Sequence, residues 1–251
     1  MPVRVAFVGK GGVGKSVIAG TFARLLSRRQ AHVLAVDSDP MPGLGFSLGI
    51  PGIEAPLPDE ALAEDGGTDD GPRLVCSAIH AAETYAAQAP DGVRFLQFGK
   101  LRGPVGALGR SQQVFRLILR GIEDTDWHVI GDLPGGTRQP FFGWAGFART
   151  VVVVAEPTKA SLLTAKRLTN LARSERAPDR LVAVANKVRG PEDIDRVAQA
   201  TGLDVIAAIP LDPSVARADR LGQAVIDVDP EGPAVAAVME LVEHLLLASR
   251  T

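Results

Sequence analysis

The chain has 251 residues, 46% of them apolar and 22% charged, with a formal net charge of −2 at neutral pH. That balance supplies a core and excludes a chain that is basic throughout, the usual signature of nucleic-acid binders, while permitting a local basic patch. Cys76 is the only cysteine, which excludes an intrachain disulfide, and no apolar run reaches the roughly 18 residues a bilayer span needs, so a cytoplasmic protein is expected.

The first short apolar run, residues 3–8, reads as a buried strand that no long apolar signal segment precedes. Next come Gly9-Lys10-Gly11-Gly12-Val13-Gly14-Lys15-Ser16 and then Ile18, Phe22, Leu25 and Leu26 at helical spacing. The octad matches G-x-x-x-x-G-K-[ST] and lies between a strand and a helix, the context the motif requires. Glycines let backbone N–H groups converge on phosphate oxygens, and the helix N-terminus adds its dipole. Lys15 suits the β- and γ-phosphates, and the Ser16 hydroxyl suits Mg²⁺. Gly9, Gly11, Gly12, Val13, Gly14, Lys15, Ser16 and Val17 are the candidate nucleotide-binding residues of this segment.

Residues 33–36 form a second strand-like run ending in Asp37-Ser38-Asp39-Pro40, which is also good turn chemistry. Residues 51–72 are rich in Gly, Pro, Asp and Glu and read as a surface excursion, too short and polar to join two cores. One domain spanning residues 1–251 is expected. Cys76 and His80 stand four apart, a spacing that shares a helix face but supplies too few ligands for a soft-metal site. Residues 93–98 are the third strand, and Val114, Leu117 and Ile118 follow on a helix that Ser111 is placed to cap.

Residues 127–130 are the fourth strand, leading into Gly131-Asp132-Leu133-Pro134-Gly135-Gly136. An aspartate after an apolar strand is the Walker B position, which holds Mg²⁺ through water. Phe141, Phe142, Trp144 and Phe147 crowd together just downstream. They fit either plain core packing or an exposed partner surface under nucleotide control. Residues 151–155, 181–185 and 203–209 are the remaining strands, with Leu162, Leu163 and Leu168 on a helix after the first of them.

The segment Asn186-Lys187-Val188-Arg189 follows one strand and Pro210-Leu211-Asp212-Pro213 another. Residues Pro233–Ala248 set Ala234, Val235, Val238, Leu241, Val242 and Leu245 against Glu240, Glu243 and His244, a final core helix whose acidic face disfavours anionic lipid. Two basic groups, Arg24, Arg28 and Arg29, and Arg173, Arg176 and Arg180, fit either solvated helix faces or contacts to DNA phosphates. Buried strands alternating with helices indicate an α/β, three-layer fold with a mostly parallel, doubly wound sheet and ligands beyond the carboxyl ends of its strands.

The early lysine in Gly9-Lys10-Gly11-Gly12-Val13-Gly14-Lys15-Ser16 resembles the deviant Walker A loop of one P-loop branch. Its members are septum-site and partition ATPases of the MinD/ParA kind, the nitrogenase iron protein, targeting ATPases and metal-centre accessory ATPases. The resemblance implies an Mg-ATP-dependent homodimer that hydrolyses ATP and acts on a protein partner. It implies that Lys10 reaches phosphates bound by the other subunit, that Asp39 orients the attacking water, and that Asp37 sits near the metal with Ser16 and Asp132. The Pro134-Gly135-Gly136 segment resembles the switch that senses the γ-phosphate.

Asn186 corresponds to the residue that contacts adenine, and Pro210, Leu211 and Asp212 to the loop that packs on it. Guanine-specific relatives carry an aspartate where Arg189 stands, and an arginine accepts no hydrogen bond. Around the motifs the chain is most similar to accessory ATPases of carbon monoxide dehydrogenase maturation, in residues 33–40, 96–101 and 209–213. Those carry a Cys-x-Cys metal pair where this chain has residues 103–109 with no cysteine, so nickel carriage by that route is not expected. An accessory ATPase for maturation of an enzyme or metal centre, a partition ATPase acting on DNA or a large assembly, and an ATP-consuming synthetase are the three competing classes.

Overall fold

The computed structural model describes residues 1–29, 31–39, 43–50, 59–63, 72–97, 105–136, 145–174 and 178–249. Pro40, residues 98–104, Phe141, Phe142, Trp144 and Arg176 lie outside them.

In chain order the described elements are β1 (Arg4–Gly9), α1 (Lys15–Ser27), β2 (Val33–Asp37), α2 (Leu44–Leu48), α3 (Ala78–Tyr85), β3 (Ala87–Gln88), β4 (Arg94–Gln97) and α4 (Val105–Gly121). They continue with β5 (His128–Asp132), β6 (Thr150–Ala155), α5 (Lys159–Ser174), β7 (Arg180–Val188), α6 (Pro191–Thr201), β8 (Val205–Pro210), α7 (Pro213–Leu221), α8 (Val225–Val228) and α9 (Pro233–Ala248). The strands make one sheet in the order β3-β4-β2-β5-β1-β6-β7-β8, parallel except for the β3–β4 pair.

Alternate residues of each central strand feed different cores, which is why these runs are apolar throughout. Val5 and Phe7 of β1 face the layer of α1 and α9, while Ala6 and Val8 face the layer of α4 and α5. Three layers result, as the alternation of elements predicts. The Phe7 and Phe22 rings meet edge to face, with centroids 5.8 Å apart, and pin α1 to the sheet.

The structure corrects three local readings and adds one element. The helix expected to start at Ser111 begins at Val105, so Ser111 is an internal helix residue and not its cap. Cys76 precedes Ser77, whose hydroxyl caps α3 by accepting the His80 N–H, so Cys76 and His80 do not share a helix face. Residues 59–63 of the expected surface excursion pack inward: Ala61 is fully buried, and Leu62 pairs with Leu74 in an antiparallel bridge. The short antiparallel β3 went unread because two residues carry no measurable alternation.

The Arg24, Arg28 and Arg29 group is also not a free basic face. Arg24 is 3% exposed and bonds Asp91 and Asp227 at 2.6 Å each. Arg28 pairs with Asp91 at 3.1 Å, and Arg29 with Glu243. Their charges hold α1 to its neighbours. Among the described residues no helix is long and apolar enough to cross a membrane.

Candidate functional site

Strand register assembles the site. In the parallel ladder Asp132, at the end of β5, stands beside Phe7 of β1 and Asp37, the last residue of β2. The carboxyl ends of three adjacent strands thus deliver Gly9, Asp37 and Asp132 to one edge, where α1 begins. Such an edge is where open α/β sheets place their ligands.

The phosphate loop is built around positive φ angles. Gly12 has φ 81° and Gly14, the residue before α1, has φ 95°. A side chain at Gly14 is excluded twice, by that φ and because its Cβ would stand 2.4 Å from Asn186 Nδ2. Gly14→Ala is therefore expected to cost on the order of 1–3 kcal/mol and to weaken nucleotide binding more than tenfold. Calorimetric titration with Mg-ADP checks it, and near-normal affinity would show the loop tolerates a different shape. Gly9 is glycine for another reason: a Cβ there would meet the Val154 carbonyl of β6 at 2.5 Å. Gly11 and Gly12 have open space around them. Val13 is fully buried and Val17 packs against the same core, so both anchor the loop by their side chains.

Ser16 Oγ donates to Asp132 Oδ2 at 2.5 Å. Asp132 is 3% exposed, and its Oδ1 is buried without a partner. Burial, then the charge of Asp37, pushes the Asp132 carboxyl up to about 7, against the pull of Lys15 and the Ser16 hydroxyl. Asp37 is likewise raised, to about 6, by burial first, although backbone N–H groups oppose it. A hydroxyl, two crowded carboxylates and an oxygen lacking a partner form a donor set suited to a hard divalent cation. Bound there, the cation would relieve the carboxylate repulsion.

The side chain of Asp37 has a structural task. Its Oδ1 accepts the Asp39 N–H at 2.9 Å, and its Oδ2 accepts those of Gly43 and Leu44 at 3.0 Å. Three backbone donors on one carboxylate fix the segment that carries Asp39 and starts α2. A direct metal contact would have to displace them. Lys15 is buried, whereas Lys10 is half-buried with its ammonium 3.5 Å from the Gly11 carbonyl. On the other side Gly136 N–H donates to the Gly9 carbonyl at 3.4 Å, and a Cβ at Gly135 would meet Gly11 N at 3.0 Å. The segment after β5 therefore rests directly on the phosphate loop.

At the expected base end, Asn186 donates Nδ2–H to the Val13 carbonyl at 2.6 Å and is itself buried. It braces the loop, whatever else it touches. Leu211 is 47% exposed beside it, and its N–H donates to the Val188 carbonyl at 3.0 Å. Pro210 closes β8. Asp212 has both oxygens engaged, Oδ1 capping α7 through Ser214 N–H and Oδ2 accepting Ala234 N–H of α9. Burial raises its pKa, but these hydrogen bonds outweigh it and hold the carboxyl below the usual range.

Two residues of this end were not singled out from the sequence. Lys187 adopts a left-handed φ of 58° and reaches the Gly12 carbonyl at 2.9 Å and Glu156 at 3.1 Å. Glu156 follows the apolar run of β6 directly, the same strand-end position that marks Asp37 and Asp132, and that was the available signal. Of the aromatic cluster, Phe147 is core: it is buried, and its ring lies where a Gly131 Cβ would be, 2.4 Å away.

Comparison with known proteins agrees with the fold. The chain is 29% identical to the carbon monoxide dehydrogenase accessory protein CooC of Rhodospirillum rubrum, over 91% of each chain. Its fold is similar to that of a ParA family ATPase from Chlorobium tepidum, with a TM-score of 0.75 at 22% identity over 97% of this chain and 99% of that one. It is also similar to the septum site-determining protein MinD of Pyrococcus horikoshii, solved with Mg-ADP, with a TM-score of 0.72 at 19% identity over 98% and 96%. The family model for the CobQ/CobB/MinD/ParA nucleotide binding domain matches residues 5–226, and with the loop, the strand-end carboxylates and the sheet order in place the chain belongs to that family.

Proposed function

We propose that this chain is an Mg-ATP-dependent ATPase switch that acts as one domain, dimerises on ATP and serves as a cytoplasmic accessory factor in maturing a partner enzyme or metal centre. The contact of Ser16 with Asp132, whose second oxygen lacks a partner beside the phosphate loop, carries the proposal. The similarity to a carbon monoxide dehydrogenase accessory protein supports the accessory role. The engagement of Arg24, Arg28 and Arg29 in ion pairs removes one of the two basic groups that the partition reading would turn to DNA.

In this mechanism the loop amides from Gly11 to Ser16 grip the phosphates of the ATP substrate, and Lys15 neutralises charge on the β- and γ-phosphates. Ser16, with Asp132 and Asp37 behind it, would hold Mg²⁺, which would supply positive charge against the phosphate oxygens. Asp39 orients the attacking water, a task of position. Lys10 completes the site across a twofold axis, so hydrolysis waits for assembly. Asn186, Leu211 and Pro210 form the adenine end, and Lys187 with Glu156 steadies Gly12.

Asp39→Ala tests the reading. The variant is expected to bind ATP, remain dimeric by light scattering and hydrolyse at least about 100-fold more slowly, because a positioned water is lost. Ordinary turnover by this variant would remove Asp39 from the mechanism. Proteins retained by the trapped dimer would identify the partner.

A further inference from the structure

At the opposite, amino-terminal edge of the sheet, three arginines stand in a row. Arg4 opens β1, Arg149 precedes β6 and Arg180 opens β7, and these strands are neighbours. The backbone locks the row, with Arg149 N–H donating to the Arg4 carbonyl and Arg180 N–H to the Arg149 carbonyl, both at 3.0 Å. Together with Thr150 and with Leu245 and Ser249 from the end of α9, they line a cleft of about 190 Å³. A water needs only roughly 10–15 Å³, so a polyatomic ion has room.

The charges here lack the carboxylate partners that the arginines of α1 and its end have. Arg24, Arg28 and Arg29 each have a carboxylate, but among the described residues none of Arg4, Arg149 and Arg180 forms an ion pair. Asp179 is the one acidic residue of the lining, and it too forms none. Arg180 Nη2 lies 2.8 Å from His244 Nε2, while its Nη1 is buried with no hydrogen-bond partner. Arg4 donates Nη2–H to the Ile122 and Thr125 carbonyls but leaves Nε and Nη1 buried and unpartnered. Burial, then the neighbouring Arg149 charge, holds the Arg4 guanidinium below its usual range. Buried donors without acceptors are costly to keep, and a row of like charges more so.

We propose that this cleft binds a phosphate-class oxyanion, free or carried on a small metabolite, between Arg149 and Arg180 with Arg4 adding positive potential behind them. Guanidinium forks match phosphate oxygens two at a time. Arg149 Nη1 rests on Met1 Sδ at 2.9 Å, a weak acceptor that a phosphate oxygen would displace, and two guanidiniums from separate strands suit a tetrahedral, doubly charged acceptor better than a single carboxylate. The apolar side given by Leu245 lowers the local dielectric and strengthens each bond. The site is separate from the phosphate loop, at the far end of the strands.

Because the phosphate loop also attracts phosphate, the test compares the two sites. Inorganic phosphate is titrated into the full chain at constant ionic strength, with thermal stabilisation and phosphorus NMR line width as readouts. The proteins are wild type, Lys15→Ala, Arg149→Gln and Arg149→Gln/Arg180→Gln. The expected result is stabilisation that survives Lys15→Ala, weakens about tenfold in Arg149→Gln and disappears in the double variant. Arg149 is exposed, so the single substitution keeps the test valid should the double variant not fold. Glycerol phosphate run alongside distinguishes the sources, tighter binding than inorganic phosphate assigning a metabolite and weaker binding the free ion. Stabilisation that vanishes with Lys15→Ala yet persists in the arginine variants overturns the proposal. So does acetate matching phosphate, or no stabilisation in any of the four proteins.

Discussion

Lys10→Ala is expected to bind ATP within a few-fold of wild type and to hydrolyse it about 1,000-fold more slowly. The lower end of the effect of a charge supplied in trans to a transferring phosphoryl group is about 10³. The geometry fits this division of labour. Lys15 is buried in its own loop, whereas Lys10 is half-buried and, among the described residues, has no ion pair. An ammonium at the loop rim with no ion pair among the described residues is available to a second copy. Mixing variants gives a sharper readout than either alone. A heterodimer of Lys10→Ala with Asp39→Ala contains one site with Asp39 from the first chain and Lys10 from the second. Hydrolysis should therefore reappear on mixing two inactive preparations, at up to about half the wild-type rate per dimer if one of two sites works. If mixing restores nothing while both variants still bind ATP, Lys10 does not act across an interface.

Asp132→Asn is expected to have opposite effects on stability and activity. The Asp132 carboxyl titrates near 7 in the fold, against about 3.9 unfolded, so the folded state holds the proton more tightly. The stability this contributes is fully present below about pH 4 and is lost as the pH rises through about 7. Without nucleotide or Mg²⁺, the wild type should therefore weaken between pH 5 and pH 8. The asparagine variant keeps an oxygen for Ser16 but carries no charge against Asp37, so it should lose that part of the slope. At pH 8 it should be about 1–3 kcal/mol more stable than wild type, or roughly 3–10 °C higher in Tm for a chain of this size. Its Mg-dependent hydrolysis should fall by about 10²–10³, since a neutral amide cannot balance a divalent cation. Scanning calorimetry across that pH range decides the first half. A variant less stable than wild type at pH 8 would mean that the two carboxylates do not oppose each other in the fold.

The phosphate loop was legible because its chemistry is local. Eight consecutive residues supply backbone donors, a lysine and a hydroxyl, and an apolar run on one side with helical spacing on the other sets their context. Asp37 and Asp132 were legible for a related reason, as polar residues that end strands otherwise buried on both faces, with Asp39 two residues beyond the first. Lys187 and Glu156 were harder to read, because their meeting needs β6 beside β7 and a lysine at a left-handed φ. Arg24 was misread as a surface cation. Composition cannot reveal that Asp91 and Asp227 arrive from distant parts of the chain to enclose it.

Periodicity and motif by themselves determined the order of the seven longer strands, the parallel three-layer class and the place of the phosphate loop, since each depends on residues within about one element of one another. Tertiary structure alone decided which strands are neighbours and so which charges meet. Parallel register put Asp132 against Asp37, turning two ordinary carboxylates into a strained pair with one oxygen left without a partner. The same register lined up Arg4, Arg149 and Arg180 at the other edge, none of them in an ion pair among the described residues. Electrostatic energy depends on distance in space and on burial, and neither can be read from separation along the chain.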